Sequence, residues 1–167
     1  MTKLMLSVEQ LTSRASLRKA VHRVLAKTLK NKPPKDLDHD VHRWNDEIFA
    51  EINCLDCGNC CRTMDRHLTT GDIDKLARFL RMKLPDFVDQ YLLLDSDEDY
   101  VFKETPCPFF DDDNTCLVYE ARPRSCREYP YLHVTKFYQM LALSLKNRET
   151  CPAVFHVFER LNEKYGK

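Results

Sequence analysis

Glycine is nearly missing from this chain of 167 residues, which has only Gly58, Gly71 and Gly166. Loops that cradle phosphate need clustered glycines so that the backbone can approach the ligand, and the scarcity argues against a P-loop or dinucleotide-binding site. Long apolar runs are missing too. No stretch reaches the roughly 20 apolar residues that span a bilayer. The opening MTKLMLSVEQLTSR interrupts its apolar run at Glu9 and offers no small-residue cleavage site, so it does not read as a signal peptide. Net charge is absent overall, and there is no internal repeat or low-complexity segment. An apolar fraction of 43 % is ordinary for a globular protein and excludes disorder as the default.

The charge is nevertheless uneven. Residues 1–35 hold nine Lys or Arg against one acidic residue, leaving 17 basic and 25 acidic residues in the remainder. A basic arm of this kind can recruit an acidic protein partner, or it can be the solvent face of a helix lying on its own acidic body. Nucleic acid is the less suited partner, because no aromatics interleave the basic residues.

Apolar periodicity predicts mostly helix. A first helix is expected over residues 7–30, with Leu17, Val21, Val24 and Leu25 on its apolar stripe, stopped by Lys32-Pro33-Pro34-Lys35. A second, capped by Asp36, carries Leu37, Val41, Trp44, Ile48 and Ile52 at helical spacing. Thr70 is placed to cap a helix with Ile73, Leu76, Ala77 and Leu80, and Pro85 to open one with Phe87, Val88, Tyr91 and Leu92. Tyr100–Glu104 reads as a strand paired with Cys116–Tyr119 across a turn at Asp111–Asn114, while Asp95–Asp99 reads as a solvated turn. Helices over 134–146 and 151–165 close the chain. The expected fold is a compact single domain, mainly α with a small β-hairpin, whose irregular loops are organised around a cysteine-ligated metal site. Within it, residues 1–50 form an N-terminal helical arm and 51–167 the metal-binding part.

What the sequence has in abundance is cysteine, eight in all, with four inside CLDCGNCC at residues 54–61. In a cytosolic chain, as this one reads, thiols stay reduced, so the cysteines point to metal or redox chemistry before disulfides. Two residues between cysteines allow both thiolates to reach one ion, and Cys54/Cys57 and Cys57/Cys60 have that spacing. The side chains of Cys60 and Cys61 are expected to diverge, so that they serve different sites or one ligates while the other packs or bridges. Eight thiolates would make two tetrahedral zinc sites. The alternative is one iron–sulfur cluster with accessory thiols, since Cys-x2-Cys-x2-Cys opens like a ferredoxin run and Cys107 and Cys151 each precede proline, although Cys61 follows Cys60 without the usual spacer. His67 and His133 are alternative nitrogen donors. Arg122, Arg124 and Arg127 around Cys126 would offset thiolate charge or, alternatively, build an anion- or carboxylate-binding pocket, with Tyr129, Pro130 and Tyr131 screening the site from water.

The order CLDCGNCC, then PCPFFDDDNTCLVYEARPRSCREYP, then a late Cys-Pro resembles the YkgJ family of cysteine-cluster proteins over roughly residues 54–152. The resemblance implies zinc or iron chelation by Cys54, Cys57, Cys60, Cys61, Cys107, Cys116, Cys126 and Cys151. Phe110, where leucine is usual, and Asn114-Thr115, where the turn usually contains glycine, depart from the pattern without touching a proposed ligand. A related cluster in flagellin lysine N-methylases extends the implication to an iron–sulfur enzyme performing group transfer, such as protein lysine methylation, or redox chemistry.

Overall fold

The computed structural model describes residues 4–166, and these divide into two compact units. The first comprises the chain up to Cys57 and from Pro130 onward, and the second is Gly58–Tyr129. The described residues are mainly helical, with one three-stranded antiparallel sheet. None of the helices is long and apolar enough to cross a membrane.

In the first unit, α1 (Val8–Leu17), α2 (Lys19–Asn31) and α3 (Leu37–Phe49) are joined by α8 (Leu141–Asn147) and α9 (Pro152–Tyr165). Ser7 opens α1 with a capping box, its hydroxyl accepting from the Gln10 amide while the Gln10 side chain accepts from Ser7 N–H. The α3 stripe is as expected, with Leu37, Val41, Trp44, Ile48 and Ile52 all buried. It packs on α9, whose Ala153, Val154, Val157, Phe158 and Leu161 complete the core. Asp36 stands at the N-cap of α3 without capping it through its side chain.

The expected single helix over 7–30 is two helices meeting at Arg18, and the wrong stripe was taken for its core. Leu17, Val21 and Val24 are exposed. The buried line runs instead through Leu11, Ala15, His22, Leu25, Ala26 and Leu29. Polar residues interrupt that line and hid it from the apolar pattern. Glu159 of α9 accommodates them, its carboxylate lying 2.7 Å from both Arg18 Nε and His22 Nε2. The helix expected over 134–146 is likewise broken. A short 3-10 turn at Phe137–Gln139 precedes α8, pinned by the Asp38 carboxylate, which accepts from the Lys136 and Phe137 amides.

The second unit holds α4 (Asn59–Thr63), β1 (His67–Leu68), α5 (Thr70–Phe79), α6 (Leu84–Tyr91), β2 (Leu92–Leu94), β3 (Tyr100–Phe102) and α7 (Arg124–Glu128). Thr69, rather than Thr70, caps α5 through a capping box with Asp72. Pro85 lies in the first turn of α6. The sheet has the order β1-β3-β2, with Val101 opposite both His67 and Leu93. The predicted pairing of Tyr100–Glu104 with Cys116–Tyr119 is therefore incorrect. Pro106 and Pro108 supply no ladder donors in the intervening chain, and the Asp111–Asn114 turn closes only a single bridge between Phe110 and Cys116. The Asp95–Asp99 turn instead makes the β2–β3 hairpin, with Asp95 accepting from the amides of Asp97 and Asp99. Leu68, Ile73, Leu76, Phe87, Leu92, Phe102 and Phe109 form the core of this unit.

Truncating Ile48 to Ala removes a fully buried side chain and is expected to cost roughly 2–5 kcal/mol in urea unfolding, whereas Leu17→Ala should change stability by less than about 0.5 kcal/mol. A second expectation concerns acid. Burial depresses the His22 and His156 imidazoles below the ordinary 6.5, so the unfolded chain binds more protons than the folded one as pH falls through that value. Their contribution to stability is present at neutral pH and is lost on acidification. Urea midpoints should fall between about pH 7.5 and 5.5, and His156→Gln should flatten that slope.

Candidate metal centre

None of the eight cysteines is in a disulfide. The two units share them unequally. Cys54, Cys57 and Cys151 belong to the first unit, and Cys60, Cys61, Cys107, Cys116 and Cys126 to the second.

In the first unit, Cys54 opens a 3-10 turn, Cys54–Asp56, that Asn53 caps by accepting from the Leu55 amide. The Cys57 amide donates to the Cys54 carbonyl. Cys57 is half-buried against the helical core, and so is Cys151, at the N-cap of α9.

In the second unit, the position of the adjacent pair is set by Gly58. This residue takes a left-handed conformation at φ 58°, and a Cβ there would stand 2.7 Å from the Phe110 ring and 2.8 Å from Asn114 Oδ1. The close approach lets α4 begin at once, carrying Cys60 and Cys61. Arg62 then ties α4 to the Asp111–Asn114 turn by donating to Asn114 Oδ1, with its guanidinium 4.8 Å from the centre of the Phe110 ring. The Cys107 amide donates to the Cys61 carbonyl at 2.9 Å, so the second cysteine segment is bonded directly to the first. Cys116 lies on the bridge to Phe110. Cys126 is carried by α7, anchored where Asp72 Oδ1 accepts from the Arg124 amide and Ser125 Oγ donates to the His67 carbonyl.

Cys60 and Cys61 do not diverge as expected. Their sulfurs are 4.0 Å apart. The hydrogen bond that the two thiols share lowers the Cys60 pKa and raises that of Cys61, so the pair loses its first proton readily and holds its second. Burial pushes Cys107 up to about 11 and raises Cys126 as well.

The cation that opposes these upward shifts is Arg66, which sequence reasoning missed. It is buried, its guanidinium lies 4.4 Å from the centre of the Tyr129 ring, and its field acts on Cys60, Cys61, Cys107 and Cys126. The arginines expected to play this part are engaged otherwise. Arg122 lies over Tyr119, Arg124 pairs with Glu128, and Arg127 donates to the Arg122 carbonyl. One signal could have exposed Arg66: it stands two residues before Leu68, on the inward face of an incipient strand.

The alternative nitrogen donors sit beside carboxylates. His67 Nδ1 is 3.5 Å from Asp99, and His133 Nε2 is 3.2 Å from Asp46. Asp113 accepts from the Thr115 amide and hydroxyl, which is turn chemistry. Among the described residues, no three His, Cys, Asp or Glu side chains already converge as a metal-holding group. The donor chemistry does fit zinc or iron, since thiolates are soft ligands for both. Two thiolates on one tetrahedral zinc stand about 3.8 Å apart, close to the separation of Cys60 and Cys61.

Residues 53–152 match the model of the CxxCxxCC family, described as a "putative zinc- or iron-chelating domain". The chain belongs to this family. No curated protein and no solved structure matches it. Within this CxxCxxCC protein, Gly58→Ala is expected to destabilise the second unit by at least about 1 kcal/mol, from the left-handed backbone and the crowding at Phe110 together. Thermal melts of the variant and of Gly71→Ala, where a Cβ meets nothing closer than 3.8 Å, measure the contrast.

Proposed function

We propose that the protein is a cytosolic metal-binding protein in which cysteine thiolates hold zinc as a structural ion, without catalysis. The ligands proposed are Cys54, Cys57 and Cys151 in the first unit, and Cys60, Cys61, Cys107, Cys116 and Cys126 in the second. The observation that carries the reading is the close pair of Cys60 and Cys61 sulfurs in a unit with five half-buried thiols and a buried Arg66. Four thiolates on one Zn²⁺ leave a net charge of about −2, which a buried guanidinium nearby offsets. The family description supports a zinc or iron ion without choosing between them.

The stabilising role follows from the size of the local elements. The helices that carry Cys60, Cys61 and Cys126 have five residues each, too short to hold together by their own hydrogen bonds. A bound ion would supply part of the folding free energy of these segments.

Metal and acid-labile sulfide analysis of protein purified without oxygen, read with its visible spectrum, tests the reading. Zinc without colour or sulfide is the expected result. Iron with sulfide and absorption near about 400 nm would replace it by the iron–sulfur alternative. Removing zinc with a chelator at neutral pH should lower Tm by roughly 10 °C or more, and Cys61→Ser should reduce the zinc content. An unchanged melt and metal content would exclude a structural role for Cys61.

A further inference from the structure

The face of the first unit opposite its core presents an arrangement that metal binding does not use. At about 100° per residue, α2 carries three separate stripes. His22, Leu25, Ala26 and Leu29 are buried. Lys19, Arg23, Lys27 and Lys30 form an exposed column of like charge. Between that column and α9 runs a second apolar stripe, with Val21 40 % and Val24 67 % exposed. Ala20, Val21, Val24 and Thr28 line one side of a groove of about 610 Å³, and Asn162 and Tyr165 near the end of α9 line the other.

Neither feature is satisfied within the unit. Cations four residues apart on a helix repel one another. The ion pairs of this unit among the described residues draw on Arg18, His22, Arg43, His133, Arg148, Arg160 and Lys164, and use none of the four column cations. An exposed apolar stripe beside unpaired positive charge is complementary to a ligand with apolar residues along one face and carboxylates along its edge.

We propose that this groove docks an amphipathic helix of an acidic partner protein, its apolar face seated between α2 and the end of α9 and its carboxylates paired with Arg23 and Lys27. The proposal is independent of the metal reading. Other occupants fit less well. A bilayer is flat, whereas this surface is concave. Nucleic acid has no use for the apolar stripe, and the basic column carries no aromatic residue. A second copy meeting face to face would oppose the two basic columns.

The test uses the full chain and a panel of fluorescein-labelled peptides of about 20 residues, with leucines at helical spacing and Glu or Asp elsewhere. The same peptides with Lys in place of the acids, and acidic peptides with the stripe scrambled, serve as probes of specificity. Fluorescence anisotropy is expected to show binding of the acidic striped peptides alone. Val24→Glu, and separately Arg23→Glu with Lys27→Glu, should each weaken binding at least about tenfold while leaving Tm within a few degrees, because all three side chains are exposed. Rising salt should weaken binding as well. The proposal is overturned if no peptide of the panel binds, or if binding ignores Val24→Glu. It is equally overturned if the face instead mediates sedimentation with phosphatidylserine vesicles, retention of single-stranded DNA or self-association lost in Val24→Glu.

Discussion

Burying a guanidinium requires negative charge or acceptors close by, since its desolvation is otherwise too costly. The second unit meets this constraint at Arg66, which lies under Tyr129 and acts on four of the unit's five thiols. The dependence is mutual. Thiols gathered in a half-buried place resist ionisation, and Cys107 and Cys126 are both raised by burial first of all. A fixed positive charge among them makes the thiolate form more accessible, and the thiolate is the form that binds metal.

The remaining structure of this unit serves to bring cysteines from distant positions toward that charge. The Cys61 carbonyl takes the Cys107 amide, Arg62 holds the turn that ends at Cys116, and Asp72 of α5 fixes the start of α7. Each of these tethers is a polar bond between short elements. The apolar core of α5, α6 and the sheet provides the rigid body to which they attach. In the first unit the balance is reversed. Long amphipathic helices bury a continuous apolar core, and polar contacts such as those of Glu159 to Arg18 and His22 reconcile the few charged residues on its edge.

Legibility of the sequence followed this division. Where one face of a helix is apolar and the other polar, periodicity alone located the core, as for Leu37, Val41, Trp44, Ile48 and Ile52 or for Val154, Phe158 and Leu161. It succeeded only in part on α2, because that helix has two apolar stripes: Leu25 is buried as expected, while Val21 and Val24 lie on the exposed one. It failed for strand pairing. Tyr100–Phe102 is recognisably a strand, but its partners His67–Leu68 and Leu92–Leu94 are too short to have a pattern of their own. The expected divergence of Cys60 and Cys61 assumed an unconstrained backbone, whereas Gly58 and the short α4 bring the two sulfurs together.

The sequence by itself determined the helical character of the chain, the cores of its long helices and its membership of a cysteine-cluster family, because each of these rests on residue type and local spacing. Tertiary structure decided which stripe of α2 is buried, which strands pair, and which arginine stands among the thiols. These depend on contacts between residues far apart in the chain. Arg66 shows the difference most plainly: in sequence it is one arginine among many, and it is singled out only when Tyr129, Cys107 and Cys126 are folded back around it.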